Sequence, residues 1–315
     1  MPSAKQLPVV IDTDPGIDDC LALLLALASP ELDVRAVTVS YGNTVVEHAY
    51  RNAVAILRLA GKRVSLGIGA RRPLKRPLAV ARETHGPSGL GHAAVPPAGT
   101  VLDYTRSLGR VLAASPEPVV LVTLGPLTSL ALALHDEPGL KAKIRRHVAV
   151  AGAFAVPGNT TPHSEFNAWC DPDALVHVLE AKLPTEIIPL DVSRAVTIST
   201  AEVSRLGEVD DQKARWLHDA LRFYVDFHKT YESLDGCIVN DVLAVAALID
   251  PGILTFRPQR LAIGLQDGDE RGRTSVAPEG GHALVASEPQ AQRVRGLLFE
   301  RVLPWLGAYA GAGAA

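Results

Sequence analysis

The chain has 315 residues, and its 31 Lys and Arg are set against 34 Asp and Glu, which gives a formal net charge of −3. This balance excludes a nucleic-acid binder that works by bulk electrostatics, because there is no basic excess to neutralise phosphates. Apolar residues make up 47% of the chain, so it can bury a large core and is neither disordered nor collagen-like.

Short β-branched runs alternate along the chain with longer stretches rich in Ala and Leu. The runs predicted as strands are residues 9–11, 34–39, 119–122, 148–150 and 186–190. The stretches predicted as helices are residues 17–28, 48–60, 104–114, 127–134 and 172–181. The strands are apolar along nearly their whole length, as is typical of strands buried on both faces of a parallel sheet. We therefore predict an α/β fold with an open, mostly parallel β-sheet flanked by helices and a Rossmann-like core.

The helix predicted at residues 17–28 is apolar nearly all round, so we expect it to be buried. Residues 71–97 carry Pro, Gly and His without a sustained period, and a loop this long inside an α/β domain is usually functional. No low-complexity spacer divides the chain. We predict one domain over residues 1–315, with a tail at 307–315 that frays.

The cysteines Cys20, Cys170 and Cys237 are odd in number and lack C-x-x-C spacing, which predicts neither a disulfide framework nor a zinc site. No apolar segment of the signal-peptide type precedes the first predicted strand. The longest apolar run, residues 20–28, is about half of the ~18–20 residues that a bilayer span needs. We expect a cytoplasmic protein without a membrane partner.

Four aspartates lie where the first predicted strand ends: Asp12, Asp14, Asp18 and Asp19. Ligands of open α/β sheets bind at the carboxyl ends of strands, which is where these acids fall. Asp12 or Asp18 taken singly also suits a turn or helix cap. Four carboxylates within eight positions repel one another unless some face solvent or a cation lies among them. Together they indicate a Ca²⁺ or Mg²⁺ site built from oxygen ligands.

The segment D-T-D-P-G-I-D-D at residues 12–19 resembles the D-x-D-P-G-x-D-D signature of the inosine–uridine-preferring nucleoside hydrolases. Further matches follow in the family's order: G-N at 42–43, H-G-P-S-G-L-G at 85–91, L-G-P-L-T at 124–128, G-N at 158–159, E-F-N at 165–167, D-P at 171–172 and G-x-x-x-N-D at 236–241. The sequence departs from the family pattern in having Ser88 in place of Asp, Ser129 in place of Asn and Asn240 in place of His.

The resemblance implies a calcium ion at the floor of a pocket. Carried over residue by residue, its side-chain ligands are Asp14, Asp19 and Asp241, and Leu124 supplies its backbone carbonyl oxygen. The resemblance also implies that Asp14 deprotonates the water that the calcium binds. This is chemically reasonable, because a cation lowers the pKa of a bound water and an adjacent carboxylate accepts the proton.

The resemblance further implies a set of polar side chains that bind the ribose hydroxyls: Asp18, Asn43, Asn159, Glu165, Asn167 and Asp241. Amides and carboxylates suit this task, because a buried polar site rejects a sugar that lacks a hydroxyl. The alternative for the two Gly-Asn pairs, at 42–43 and 158–159, is an ordinary turn.

The departure at Asn240 bears on catalysis, because family members commonly have there a histidine that assists the leaving base. An amide donates a hydrogen bond but cannot deliver a proton. The nearest matched substitute for the acid is His85, for which a surface loop histidine is the alternative. His163 lies just before the E-F-N match and receives no role.

Tyr224, Phe227, His228 and Tyr231 fall at i, i+3, i+4 and i+7 and would form one face of a helix. Such a stripe is more often part of a core than a wall against which a base stacks. Its position just before the last family motif nevertheless makes His228 a candidate substrate-binding residue.

The leading hypothesis is calcium-dependent hydrolysis of the N-glycosidic bond of ribonucleosides to ribose and free base, through an oxocarbenium-like transition state. One alternative is a ribose- or nucleoside-binding protein that has lost efficient turnover. Another is a magnesium-dependent phosphatase of the haloacid dehalogenase type, which needs a downstream lysine that the sequence does not supply convincingly. The family resemblance also implies a homodimer or homotetramer.

Overall fold

A nine-stranded β-sheet lies at the centre of the protein, which we describe from a computed structural model over residues 6–95 and 105–307. The strands are β1 (Leu7–Thr13), β2 (Leu32–Val39), β3 (Ser65–Ile68), β4 (Val119–Thr123), β5 (Ile144–Val150), β6 (Thr185–Ile188), β7 (Thr197–Ser199), β8 (Gly236–Ile238), β9 (Thr255–Ile263), β10 (Thr274–Val276) and β11 (Gly281–Ser287). The sheet order is β10-β9-β11-β6-β5-β4-β1-β2-β3, and β7 and β8 form a separate antiparallel pair.

Helices cover both faces of this sheet. The α-helices are α1 (Ile17–Ala28), α2 (Val46–Leu59), α3 (Arg82–His85), α4 (Leu108–Ala114), α5 (Thr128–Asp136), α6 (Phe166–Cys170), α7 (Pro172–Glu180), α8 (Leu190–Ser193), α9 (Thr200–Glu208), α10 (Gln212–Glu232), α11 (Val242–Ile249), α12 (Ala291–Arg301) and α13 (Pro304–Gly307). The 3₁₀ helices in the described part of the chain are Pro138–Lys143, Pro251–Ile253 and Gly268–Glu270. No helix in the described ranges is at once long and apolar enough to cross a membrane.

The side chains of β1 alternate between two hydrophobic clusters, one on each face of the sheet. Val9 and Ile11 pack into the cluster that contains α1 and α11, whereas Val10 packs into the cluster that contains α5 and α7. All three are buried, and each contributes about 1.5–3 kcal/mol of hydrophobic stabilisation. Burial on both faces explains why β1 is apolar at consecutive positions.

The strand order reverses between β1 and β4. The chain runs outward from β1 through β2 to β3 at one edge, and from β4 through β5 to β6 in the other direction. All of these strands are parallel, and β1 pairs with both β2 and β4. The loops that follow β1 and β4 therefore diverge and leave a crevice at the carboxyl ends of the strands, which is the usual ligand position in open α/β sheets.

The predicted mostly parallel α/β architecture is confirmed, as are the five predicted strands and the buried first helix. The strand predicted at 186–190 ends at Ile188, because Pro189 leads into α8. The helix predicted from Tyr104, which lies outside the described residues, begins at Leu108, where the Ser107 hydroxyl accepts a hydrogen bond from the Arg110 N–H.

Several elements were not predicted. The segment 71–97 contains the short helix α3, and its last two residues lie outside the described part, as do residues 308–315 of the predicted tail. The sequence also did not predict β3 or the strands after β6. Among these, β9 pairs antiparallel with β10 and β11 and extends the parallel sheet at one edge.

Candidate active site

A cavity of about 870 Å³ lies at the carboxyl ends of the parallel strands, beside the point where the strand order reverses. Nearly all of the residues selected from the sequence line it: Asp18, Asn43, His85, Leu124, Asn159, Glu165, Asn167, His228, Asn240 and Asp241. Asp14 and Asp19 are fully buried and do not line the cavity themselves.

The turn after β1 is held together by Asp19, which is also in the first turn of α1. One carboxylate oxygen of Asp19 accepts a hydrogen bond from the Thr13 hydroxyl, and the other accepts one from the Gly16 N–H at 2.9 Å. The side-chain amide of Asn43, from the loop after β2, donates to this second oxygen at 2.7 Å. Asp19 thus joins two strand ends and caps the first helix.

Asp14 lies in a close-fitting cradle. Its Oδ2 accepts a hydrogen bond from the Asn43 N–H at 2.7 Å, whereas its buried Oδ1 has no hydrogen-bond partner. A Cβ at Gly125 would lie 2.5 Å from Oδ1, and one at Gly42 would overlap Oδ2. A side chain at either glycine would displace the Asp14 carboxylate, whose Oδ1 lacks a hydrogen-bond partner. Such an orphaned buried oxygen is what a cation ligand would present.

Asp18, Asp19 and Asp241 offer carboxylate oxygens that all lie within 4.8 Å of one another. Asp14 is outside this tight group but repels Asp241 electrostatically. Burial raises the pKa of Asp18 to about 7, and repulsion from Asp19 contributes to this increase. The same two causes raise the pKa of Asp14. Burial and the other three acids raise the pKa of Asp241. A group of this kind could hold a metal ion, which would relieve the repulsion.

Asn167, which lines the cavity, is held by hydrogen bonds to two backbone carbonyl oxygens. The Asn167 side-chain NH₂ donates to the Leu124 carbonyl oxygen at 2.6 Å and to the Val150 carbonyl oxygen at 3.0 Å. These two carbonyls lie at the ends of β4 and β5. A carbonyl oxygen has two lone pairs, so Leu124 can accept from Asn167 and still face a cation.

Glu165 caps α6 and lines the cavity. Its Oε1 accepts from the Asn167 N–H at 2.8 Å, and its Oε2 accepts from the N–H groups of Gly152 and Ala168, both at 3.0 Å. Burial raises the pKa of Glu165 to about 7 in spite of these hydrogen bonds. The Asn159 side-chain carbonyl accepts from the Phe166 N–H at 2.9 Å, which leaves the NH₂ of Asn159 as a donor.

His85 ends α3 and is buried. Its Nδ1 accepts a hydrogen bond from the Ile17 N–H at 3.1 Å, so the neutral ring carries its hydrogen on Nε2. Burial, and then the nearby His228, lower the pKa of His85 to about 3. A ring in this state donates a hydrogen bond but does not fit the proton-donor role expected from the sequence.

Asn240 is oriented by a residue far away in the sequence. The Ser193 hydroxyl, at the end of α8, donates to the Asn240 Oδ1 at 2.8 Å. Asn240 therefore offers its NH₂ to the cavity, as a hydrogen-bond donor that cannot titrate.

All four residues of the aromatic stripe of α10 line the cavity: Tyr224, Phe227, His228 and Tyr231. The stripe is therefore not only part of the hydrophobic core. Tyr224 and His228 are buried, whereas Tyr231 is 65% exposed. The rings of Tyr224 and His228 meet edge to face at 4.5 Å, and Phe227 and Tyr231 are 5.0 Å apart. The stripe therefore forms both part of the core and a wall of the cavity.

Sequence reasoning did not select every residue of the site. The ion pair between Arg194 and Glu232 also lines the cavity, and neither residue belongs to a motif that would have revealed it. Gly125 was visible only as part of a family match. His163 is half-exposed near Glu270 and does not line the main cavity.

The fold and the site define an α/β protein whose acidic pocket suits a cation together with a small, hydroxyl-rich ligand. The sequence model of the family described as "Inosine-uridine preferring nucleoside hydrolase" matches residues 9–301. The chain therefore belongs to the inosine-uridine preferring nucleoside hydrolase family, whose members are enzymes that act on nucleosides. This membership argues against the phosphatase alternative. That alternative also needs a lysine, and no lysine is among the described residues that line the cavity.

Known relatives agree with this assignment. The chain is 37% identical over 275 residues to the pyrimidine-specific ribonucleoside hydrolase RihA of Salmonella newport (strain SL254), covering 86% of this chain and 88% of that protein. Among solved structures it is similar to the plant nucleoside hydrolase PpNRh1 (29% identity, 94% of this chain, 99% of that chain, TM-score 0.85). It is also similar to a purine-preferring ribonucleoside hydrolase from Gardnerella vaginalis (27% identity, 96% and 99% coverage, TM-score 0.87).

Proposed function

We propose that this protein hydrolyses the N-glycosidic bond of ribonucleosides to ribose and free base and that it uses Ca²⁺. The observation that carries the proposal is the buried acidic group, with the orphaned Asp14 Oδ1 nearby, in a cavity also lined by amides and aromatic rings. Family membership supports the reaction, and the acidic group supports a cation.

Calcium fits the donors better than a softer metal does. The proposed ligands are Asp14, Asp19, Asp241 and the Leu124 carbonyl, all of which offer oxygen, the donor that Ca²⁺ prefers. Asp18 lies within reach of the same position. Bound there, calcium would supply positive charge that lowers the pKa of a nearby water and orients ribose hydroxyls.

The ribose would be bound by the polar residues beside the acidic group. We assign this role to Asp18, Asn43, Asn159, Glu165, Asn167 and Asp241. Some of these side chains can form hydrogen bonds in addition to those they form within the protein. The Asn159 NH₂ can donate to a ligand, and Glu165 Oε1 has a second lone pair that can accept from one. A sugar that lacks a hydroxyl would leave such groups unpaired in a buried site, so we expect selectivity for ribose.

The proposed chemistry begins with Asp14, which accepts a proton from the attacking water. As the bond between C1′ and the base breaks, positive charge develops on the ribosyl group, and the surrounding carboxylates stabilise that charge. Asn240 and the neutral His85 donate hydrogen bonds toward the sugar and the departing base. His228 and the neighbouring rings provide the surface that the base contacts.

The base preference is open to experiment, because the named preferences of relatives differ between pyrimidine-specific and purine-preferring. The test is a panel of inosine, uridine, cytidine and p-nitrophenyl riboside, with and without a calcium chelator, followed by assays for reducing sugar and free base. Calcium-dependent release of ribose and base supports the proposal. Calcium-dependent ribose binding without turnover of any substrate would favour the nucleoside-binding alternative and overturn it.

The homodimer or homotetramer stays a prediction that rests on the family resemblance. The cytoplasmic location stays a prediction that rests on the sequence. Sedimentation velocity of the calcium-loaded protein tests the assembly state, and a monomer at micromolar concentration would contradict it.

A further inference from the structure

The cavity contains two buried histidines whose hydrogen bonds run in opposite directions. His85 Nδ1 accepts from the Ile17 N–H at 3.1 Å. His228 Nδ1 lies 2.8 Å from the carbonyl oxygen of Tyr224, one turn earlier in α10. A carbonyl oxygen can only accept, so the Nδ1 of His228 must be the donor. The two rings are therefore opposite tautomers when neutral, with the hydrogen of His85 on Nε2 and that of His228 on Nδ1.

This difference decides which ring can hold a second proton. Protonation of His85 would put a hydrogen on Nδ1 that faces the hydrogen of the Ile17 N–H, so the hydrogen bond would be lost in a buried position. Protonation of His228 occurs on Nε2 and leaves the hydrogen bond to Tyr224 intact. Of the two histidines, only His228 can become an imidazolium without breaking a contact.

Charged groups of both signs lie near His228. Burial lowers its pKa, and Arg194, which follows α8, lowers it further, whereas the Tyr224 carbonyl and Glu232 of α10 raise it. His85 of α3 is neutral at working pH and does not compete for the proton. The result is a histidine with a pKa below its ordinary value of about 6.5 but with two neighbours that favour the charged form.

We propose that His228 is the proton donor to the departing base. The proposal rests on the proposed hydrolase function and deepens it. As the C1′–N bond breaks, its electron pair stays on the base, which takes the proton from His228 Nε2. The water oxygen bonds to C1′ and its proton passes to Asp14. Solvent then returns a proton to His228 and removes one from Asp14, so one water is consumed.

The test compares His228→Gln with His85→Gln, and uses His218→Gln as a matched control on the same helix but outside the cavity. In His228→Gln, kcat/KM for inosine and uridine falls about 100-fold, the ordinary size of a general-acid contribution. The p-nitrophenyl riboside, whose leaving group needs no proton, is hydrolysed within about threefold of wild type. Equal losses on both kinds of substrate, or a selective loss in His85→Gln instead, would overturn the proposal.

A pH profile of the wild-type enzyme gives an independent measurement in case the variant does not fold. On natural nucleosides, kcat/KM falls about tenfold per pH unit above the pKa of His228, which lies below about 6.5. The p-nitrophenyl riboside shows no such limb. The limb persists in His85→Gln and disappears in His228→Gln, whereas its absence from the wild type would contradict the proposal. If wild type hydrolyses none of these substrates with calcium, the proposed function itself has failed.

Discussion

The side-chain amide of Asn43 donates a hydrogen bond to Asp19 Oδ2 at 2.7 Å. The backbone N–H of the same asparagine donates to Asp14 Oδ2, also at 2.7 Å. One residue from the loop after β2 therefore orients two of the acids that follow β1. This contact explains how neighbouring strand ends keep two mutually repelling carboxylates at fixed positions.

The first prediction is that Asn43→Ala lowers the free energy of unfolding by about 1–3 kcal/mol, because Asp19 Oδ2 loses a buried hydrogen bond. Urea unfolding in saturating calcium measures the change. Calcium affinity also falls, which isothermal titration calorimetry measures. The exposed Gln266→Ala serves as the control and should change neither quantity. Wild-type calcium affinity in Asn43→Ala would show that the contact does not orient the proposed ligands.

The second prediction concerns Asp14. Asp14→Asn keeps the shape of the side chain but removes the proposed proton acceptor and one negative charge. We expect turnover to fall at least about 100-fold on natural nucleosides and on the p-nitrophenyl riboside alike, because both kinds of substrate need the same activated water. The exposed Glu279→Gln, assayed in parallel, removes a charge outside the cavity. Substantial activity in Asp14→Asn would remove Asp14 from the mechanism.

The third prediction tests the glycine cradle. Gly125→Ala would put a methyl group 2.5 Å from Asp14 Oδ1, so the carboxylate must move. We expect calcium affinity and turnover to fall at least about tenfold while the protein still folds. Gly296→Ala, in the middle of α12 with open space around its Cβ, is the matched control and should be neutral or stabilising by up to about 1 kcal/mol. An active Gly125→Ala variant with unchanged calcium affinity would show that the cradle is not needed.

The fourth prediction is a pH dependence of stability in calcium-free protein. Burial raises the pKa values of Asp12, Asp18 and Glu165 to about 7, from ordinary values of 3.8 for Asp and 4.5 for Glu. Between these limits the folded state binds more protons than the unfolded state, so stability is present at low pH and is lost as the pH rises toward 7.

Thermal unfolding in a chelator at several pH values between about 4 and 7.5 measures this trend. Saturating calcium, which binds the ionised carboxylates, should raise the unfolding midpoint most at the upper end of the range. A chelated protein that gains stability from about pH 5 to about pH 7 would contradict the prediction, as would a calcium effect that is independent of pH.

Much of the fold and of the acidic group followed from the sequence alone. Strands buried on both faces are apolar at nearly every position, and an aspartate cluster at a strand end is costly without a function, so both leave local patterns. The strands after β6 left no such pattern, because they are short or because they lie toward one edge of the sheet and are partly exposed.

The state of each site residue was decided only by the tertiary structure. The sequence offered His85 as the proton donor, yet its ring accepts a hydrogen bond from Ile17, 68 positions away. Asn240 is oriented by Ser193, 47 positions away. Protonation and donor direction depend on partners brought together by folding, and sequence spacing does not encode such partners. The sequence therefore indicated most of the residues that line the cavity, and the fold determined which partners orient their hydrogen bonds.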